Sequence, residues 1–133
     1  MSNKLGSVLG IDYGTSKIGL AISPDGKIAF SFDILSNNGV FFSILEKLIK
    51  DNEVEKIVVG LPISMSGNPS AQTKIVEGFI EQLKKKTNIP IEKYDERLTS
   101  TEAKRNLPPK VKDDAEAARI ILQGYLDKNT YQP

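Results

Sequence analysis

The chain of 133 residues contains no cysteine and no histidine. The absence of cysteine excludes disulfides and thiol nucleophiles, and the absence of both residues excludes the zinc sites built on them. Imidazole acid–base catalysis is excluded as well. An enzyme of this composition must rely on carboxylates, hydroxyls, lysine, arginine or a bound ion. Because carboxylates are hard oxygen ligands, such an ion would be Mg²⁺, Mn²⁺ or Ca²⁺.

Long apolar runs are also absent. No segment approaches the roughly 20 apolar residues that span a bilayer. The first residues, MSNKLGSVLGIDYG, lack the apolar block of a signal peptide. We therefore expect a cytoplasmic protein that does not contact membranes. The length fits a single domain, 1–133, and the net charge of +1 argues neither for nor against nucleic acid.

Apolar periodicity and turn signals predict the element order βββ-α-β-α-β-α-α. The predicted strands are 8–12, 18–22, 28–34, 56–62 and 89–94, and the predicted helices lie around 40–51, 75–83, 100–106 and 113–127. Strands separated by helices imply right-handed parallel crossovers. The predicted fold is therefore α/β, with a five-stranded mixed sheet of three antiparallel strands joined to two parallel ones and helices on both faces.

Acidic residues follow two of the predicted strands. Asp12 ends the first strand, and Asp95 and Glu96 end the fifth. Ligands of such sheets bind beyond the carboxyl ends of the parallel strands, so we expect these acids to lie at one edge. Each also has a structural alternative, since Asp12 fits a turn and the other two fit a solvated strand end.

The last predicted helix supplies a further acid. At about 100° per residue, Asp114 lies on the same stripe as Ala118 and Ile121, which faces the sheet. Asp113 points away from this stripe and, with Glu116 three residues later, fits a capping box. The alternative for Asp114 is a first-turn acid that the helix dipole favours.

Acids that converge at one edge repel one another unless cations lie between them. One or two Mg²⁺ or Mn²⁺ ions would remove that repulsion. Two such ions roughly 4 Å apart can activate a water and stabilise the leaving oxygen of a phosphodiester. This chemistry needs neither histidine nor cysteine, which fits the composition.

Four motifs resemble those of one bacterial family. They are GIDYGTSKIGLAIS, VVGLP with the following SMSGNPS, DERLTS followed by EA, and DAEAARIILQGYLD. Their order and spacing resemble the YqgF family, also called RuvX-like, whose members are described as Holliday junction resolvases or pre-16S rRNA nucleases. The resemblance covers 7–127 and implies an RNase H-like fold.

The resemblance also implies site residues. It identifies Asp12, Glu96 and Asp114 as catalytic metal ligands for Mg²⁺ or Mn²⁺, with Asp95 as the rival of Glu96. Plausible substrate contacts are Lys17, Arg97, Thr99, Lys110 and Lys112. For Arg97 the alternative is an ion pair with a nearby acid. The family usually carries a longer, more basic loop before the last helix, whereas 106–112 carries only two lysines.

The main functional hypothesis is a nuclease that matures the 5′ end of pre-16S rRNA. One alternative is a resolvase of branched DNA, which should be a dimer because a junction needs two active sites. Another is a non-catalytic RNA-binding or ribosome-binding module. An ATP-binding fold of the actin type would need two lobes, for which the chain is too short. We expect the protein to bind RNA in preference to branched DNA. We also expect a monomer, because no exposed apolar edge is evident.

Overall fold

The computed structural model describes residues 6–64, 66–98 and 113–130. The elements are β1 (Ser7–Asp12), β2 (Lys17–Ser23), β3 (Phe30–Ser36), α1 (Phe41–Asp51), β4 (Val54–Leu61), α2 (Ala71–Lys86), β5 (Ile91–Asp95), a 3₁₀ turn (Glu96–Leu98) and α3 (Asp114–Thr130). The helix predicted at 100–106 and the loop at 106–112 lie outside the described residues.

The five strands form one sheet in the order β3-β2-β1-β4-β5. Strand β2 runs antiparallel to both β1 and β3, whereas β4 runs parallel to both β1 and β5. The predicted mixed sheet is therefore confirmed. The C-terminal ends of the parallel strands β1, β4 and β5 lie at one edge of the sheet, which we call the C-terminal edge.

One face of the sheet packs against α1 and α2. Its buried strand residues include Leu9 and Ile11 of β1 and Ile57 and Val59 of β4. The helices contribute Phe41, Leu45, Val76, Phe79, Ile80 and Leu83. Burying a side chain of this kind stabilises the fold by about 1.5–3 kcal/mol relative to leaving it exposed. This face is the larger part of the core.

The other face packs against α3, whose buried stripe is Ala118, Ile121, Leu122, Tyr125 and Leu126. The helix approaches the sheet closely because β1 has a glycine beneath it. A Cβ atom on Gly10 would lie 2.7 Å from the Cβ of Leu122. The predicted sheet-facing stripe and the presence of helices on both faces are confirmed.

Two strands begin later than predicted. The Oδ1 atom of Asp25 accepts hydrogen bonds from the backbone N–H groups of Lys27 (2.8 Å) and Ile28 (3.2 Å), so the turn continues to 28. Strand β3 therefore begins at Phe30. Strand β5 begins at Ile91 rather than 89, because the N–H of Ile89 donates to Thr87 Oγ1 and Pro90 has no N–H.

Helix α3 begins at a capped position. The N–H of Glu116 donates to Asp113 Oδ1 at 2.7 Å, which confirms the predicted cap. The Glu116 carboxylate instead accepts from Ser31 Oγ (2.9 Å) and from Arg119 Nη2 (2.5 Å). Glu116 thus ties α3 to β3 rather than completing the capping box in the contacts described.

Strand β3 is an exposed edge with apolar side chains, which differs from the expectation that no such edge exists. Phe30 is 53% exposed, and Phe32 and Ile34 are each 36% exposed. Asp33 Oδ1 accepts the backbone N–H of Ile34 at 2.7 Å, so a side chain already satisfies one edge donor.

The helices of the described residues are too short or too polar to span a membrane.

Candidate active site

Asp12 is the last residue of β1 and is half-buried at the C-terminal edge. Successive side chains of a strand point to opposite faces, so Asp12 shares the face of Val8 and Gly10, which packs against α3. Its partner on β2 is Gly19. Asp12 therefore lies on the α3 face, beside a residue without a side chain.

Glu96 reaches the same face from the other side. It opens the 3₁₀ turn after β5. A Cβ atom on Gly60 of β4 would lie 3.1 Å from Glu96 Oε2 and 3.3 Å from its Cγ. The Glu96 side chain therefore lies over Gly60. The parallel register pairs Ile11 with Val59, and its continuation brings Asp12 next to Gly60.

Asp114 belongs to α3, which packs on the same face. It is the first residue of α3, and its carbonyl oxygen lies so close to Gly19 that a Cβ atom there would collide with it. The start of α3 thus rests on the strand neighbour of Asp12. We call Gly19 and Gly60 the glycine floor, because these two residues flank Asp12 and leave room for the other two acids.

Three acids therefore approach one face at one edge, but they do not form a closed cluster. Within the ranges that the structure describes, no three acidic side chains lie close enough together to hold a metal ion as they stand. Their oxygen donors suit Mg²⁺ or Mn²⁺ chemically.

Asp95 has a different surrounding. Its Oδ1 accepts the backbone N–H of Arg97 at 2.9 Å, and its two oxygens accept from Arg97 Nε at 3.1 Å and from Nη2 at 2.7 Å. The Arg97 hydrogen bonds hold the pKa of Asp95 below its usual value, and the carboxylate raises the pKa of Arg97. The ion-pair alternative for Arg97 is therefore the observed arrangement.

Of the other predicted substrate contacts, the structure describes Lys17. It is exposed at the start of β2, on the same face as Gly19, two residues later. The turn before it is held by Asn37 Nδ2, which donates to the Gly14 carbonyl at 2.8 Å. Thr99, Lys110 and Lys112 lie outside the described residues.

The loop between β4 and α2 completes the edge. Buried Thr73 donates its hydroxyl to the Pro62 carbonyl, and Ser64 Oγ donates to the Asn68 carbonyl at 2.8 Å. A Cβ atom on Gly67, whose φ is 90°, would lie 3.4 Å from Arg97 Nη1. Neither Gly19 nor Gly67 was predicted as part of this edge. Gly19 is an isolated glycine inside a strand, which often marks a close approach.

Comparison with known proteins identifies the family. A family model described as "RuvX: Holliday junction resolvase" matches residues 6–128. The chain belongs to the RuvX family. A relative from Dictyoglomus turgidum, named "Putative pre-16S rRNA nuclease", is 42% identical and covers 90% of this chain and 93% of its own length. One of the same name from Maridesulfovibrio salexigens is 37% identical and covers 90% and 96%.

Solved structures relate the RuvX fold to that of RuvC. The Thermus thermophilus RuvC in complex with a Holliday junction substrate matches with a TM-score of 0.63 and 13% identity, over 95% of this chain and 96% of that chain. A second RuvC structure matches with a TM-score of 0.62 and 15% identity. At such low identity the likeness concerns the fold, and it confirms the RNase H-like architecture.

Proposed function

We propose that this chain is a divalent-metal-dependent nuclease that hydrolyses phosphodiesters near the 5′ end of a 16S rRNA precursor. It would act in the cytoplasm. The observation that carries the proposal is the approach of three acids, from β1, the end of β5 and the start of α3, to one glycine floor. The names of the relatives at 42% and 37% identity support RNA as the substrate.

In this proposal Asp12, Glu96 and Asp114 hold the ion. A divalent cation bound there would activate a water and stabilise the leaving oxygen of the phosphodiester. The three carboxylates repel one another, so they converge only around positive charge. Asp12 is central because Gly19 and Gly60 flank it. The start of α3 lies over Gly19, and the Glu96 side chain lies over Gly60.

We also propose Lys17 as a contact for the substrate phosphate. It is exposed at the start of β2. It lies on the same face as Gly19, the strand partner of Asp12. A lysine contacts phosphate as a point charge and carries no sequence information, which suits a backbone contact.

The test is cleavage of a 5′-labelled precursor fragment in Mn²⁺, with wild type and Asp12→Asn compared. We expect the wild type to cut the RNA and the variant to lose cleavage while remaining folded, because asparagine keeps the shape but removes the charge. Equal cleavage by both proteins would contradict the proposal, since the activity would then not depend on Asp12.

A second candidate is cleavage of branched DNA, which the description of the family model favours. A four-way DNA junction therefore belongs in the same assay. A resolvase should present two active sites and so behave as a dimer on sizing. Junction cleavage alone, by a dimer, would replace the RNA proposal. Binding of RNA without any Asp12-dependent cleavage would favour a non-catalytic module.

A further inference from the structure

Asp95 and Arg97 form a closed set of contacts around Glu96. The Asp95 carboxylate accepts one backbone N–H and two side-chain groups of Arg97, with the shortest contact, Nη2 to Oδ2, at 2.7 Å. Both partners belong to the short segment whose middle residue is Glu96. The contacts therefore restrain the backbone on each side of the acid that lies over Gly60.

We propose that Asp95 and Arg97 are positioning residues: they fix the 3₁₀ turn so that Glu96, and not Asp95, is presented to the cation and the substrate. This inference rests on the proposed function. It assigns to Asp95 a role other than metal ligand and to Arg97 a role other than phosphate contact. We call the pair the clamp.

The direction of the side chains supports the clamp. Tyr94, one residue before Asp95, is buried against α3, so the alternation of β5 directs Asp95 away from that face. Glu96, two residues after Tyr94, lies on the α3 face over Gly60, where the strand gives way to the 3₁₀ turn. The Asp95 carboxylate accepts the Arg97 N–H inside this turn, which is where a capping acid is needed.

The donors of Arg97 support the same conclusion. A guanidinium binds phosphate strongly when two parallel N–H groups form a fork. In Arg97, Nε and Nη2 both donate to Asp95. The remaining nitrogen, Nη1, lies beside Gly67 of the β4–α2 loop. Asp95 thus occupies the Nε–Nη2 fork, and a phosphate could use that fork only by displacing Asp95. The other side of the guanidinium lies beside the β4–α2 loop.

The test is a double-mutant cycle of Asp95→Asn and Arg97→Ala, measured as kcat, KM and Mn²⁺ affinity. If both residues act through one clamp, each single variant and the double variant lose the same amount. We expect kcat and Mn²⁺ affinity to fall by about tenfold or more, as for residues that orient ligands, with KM unchanged. Arg97→Lys should match Arg97→Ala, because lysine cannot form the fork.

Arg119→Ala is the matched control. Arg119 pairs with Glu116 through Nη2 (2.5 Å) and Nε (2.9 Å), and its side chain is 33% exposed against 35% for Arg97. This control removes a comparable ion pair that encloses no acid. It should leave kcat and KM unchanged. A similar loss of kcat in the control would overturn the clamp in favour of a general effect on folding.

The alternatives give different outcomes, and each overturns the clamp. A raised KM at unchanged kcat in Arg97→Ala would make Arg97 a phosphate contact. A loss in Asp95→Asn as severe as in Glu96→Gln, with a mild effect of Arg97→Ala, would make Asp95 a ligand. Additive losses in the double variant would make the two residues independent.

The proposed function fails separately. If the wild type depends on Asp12 but the clamp variants keep their kcat, only the clamp is overturned. If the wild type neither binds Mn²⁺ nor cuts RNA in an Asp12-dependent way, the proposed function is overturned and the clamp with it.

Discussion

The two faces of the sheet use the same strands for different purposes. Strand β1 gives Leu9 and Ile11 to the face under α1 and α2, and Gly10 and Asp12 to the face under α3. The first face is filled by large apolar side chains, whereas the second has glycines near the C-terminal edge, Gly60 among them. The α1–α2 face thus holds the larger part of the apolar core. On the α3 face, the glycines let the start of α3 and the Glu96 side chain lie directly against the strands that flank Asp12.

Alternate residues of one strand therefore have different roles: those that face α1 and α2 stabilise the fold, and those that face α3 near the C-terminal edge belong to the candidate site. A change on the α1–α2 face should reduce the free energy of unfolding and leave the chemistry of the folded molecules intact. A change near the edge of the α3 face should alter the chemistry of the folded molecules, whether or not it also changes the free energy of unfolding. The variants below test that separation, beginning with the largest expected effect.

The largest effect is expected at the acids. Asp12→Asn, Glu96→Gln and Asp114→Asn should each reduce nuclease activity to background, because each removes one anionic ligand of the proposed cation. We expect each variant to remain folded, because asparagine and glutamine keep the shape of the side chains that they replace. Cleavage assays and thermal unfolding test this. A variant that is unfolded instead would show that its acid supports the fold.

A large effect on stability alone is expected at Leu45, which is 1% exposed in α1 and belongs to the α1–α2 face. Leu45→Ala should lower the free energy of unfolding by about 2–5 kcal/mol, because it removes buried methyl groups and leaves a cavity. Urea unfolding measures this loss. At low temperature, where the variant is folded, kcat should match the wild type; a lower kcat would break the separation of the two faces.

An intermediate effect is expected at Gly60. A Cβ atom there would lie 2.6 Å from Ile121 Cδ1 and 3.1 Å from Glu96 Oε2. Gly60→Ala should therefore cost about 1–3 kcal/mol of stability through overpacking. It should also lower kcat, because Glu96 must move. Kinetics and urea unfolding separate the two losses, and a normal kcat would mean that the glycine floor does not control Glu96.

The smallest effect is expected at Gly78, the matched control for Gly60. It lies within α2, where a Cβ atom would meet nothing within 4 Å. Gly78→Ala should raise the free energy of unfolding by about 1 kcal/mol, because alanine favours a helix interior more than glycine. Its kcat should not change. Destabilisation would indicate that glycine is needed at this position.

The order of the described strands and helices followed from sequence, because apolar periodicity and turn residues agree in most segments. Strand ends were less predictable, since they depend on side chains such as Asp25 and Thr87, which take backbone donors out of the ladder. The exposed edge of β3 was not predicted, because phenylalanine and isoleucine, the residue types at Phe30 and Ile34, are also typical of buried strands. Exposure depends on which strand lies outermost, and single-strand patterns do not carry that information.

Part of the candidate site was predictable because apolar periodicity also fixes which face of a helix packs against the sheet. Helical spacing placed Asp114 on the sheet-facing stripe, because Ala118 and Ile121 mark that stripe clearly. The choice between Asp95 and Glu96 needed three-dimensional structure, since the chain turns between them and strand alternation ends there. The ion pair with Arg97 and the position of Glu96 over Gly60 distinguish the two acids.

The most direct test of the shared-cation proposal is Mn²⁺ binding, measured by calorimetry on the wild type and on the three acid variants. Asp113→Asn is the control, because it lies next to Asp114, is exposed, and asparagine also caps helices. We predict that Asp12→Asn, Glu96→Gln and Asp114→Asn each lose Mn²⁺ binding and that Asp113→Asn binds as the wild type does. Unchanged binding in the three acid variants, or no binding by the wild type, would contradict the account.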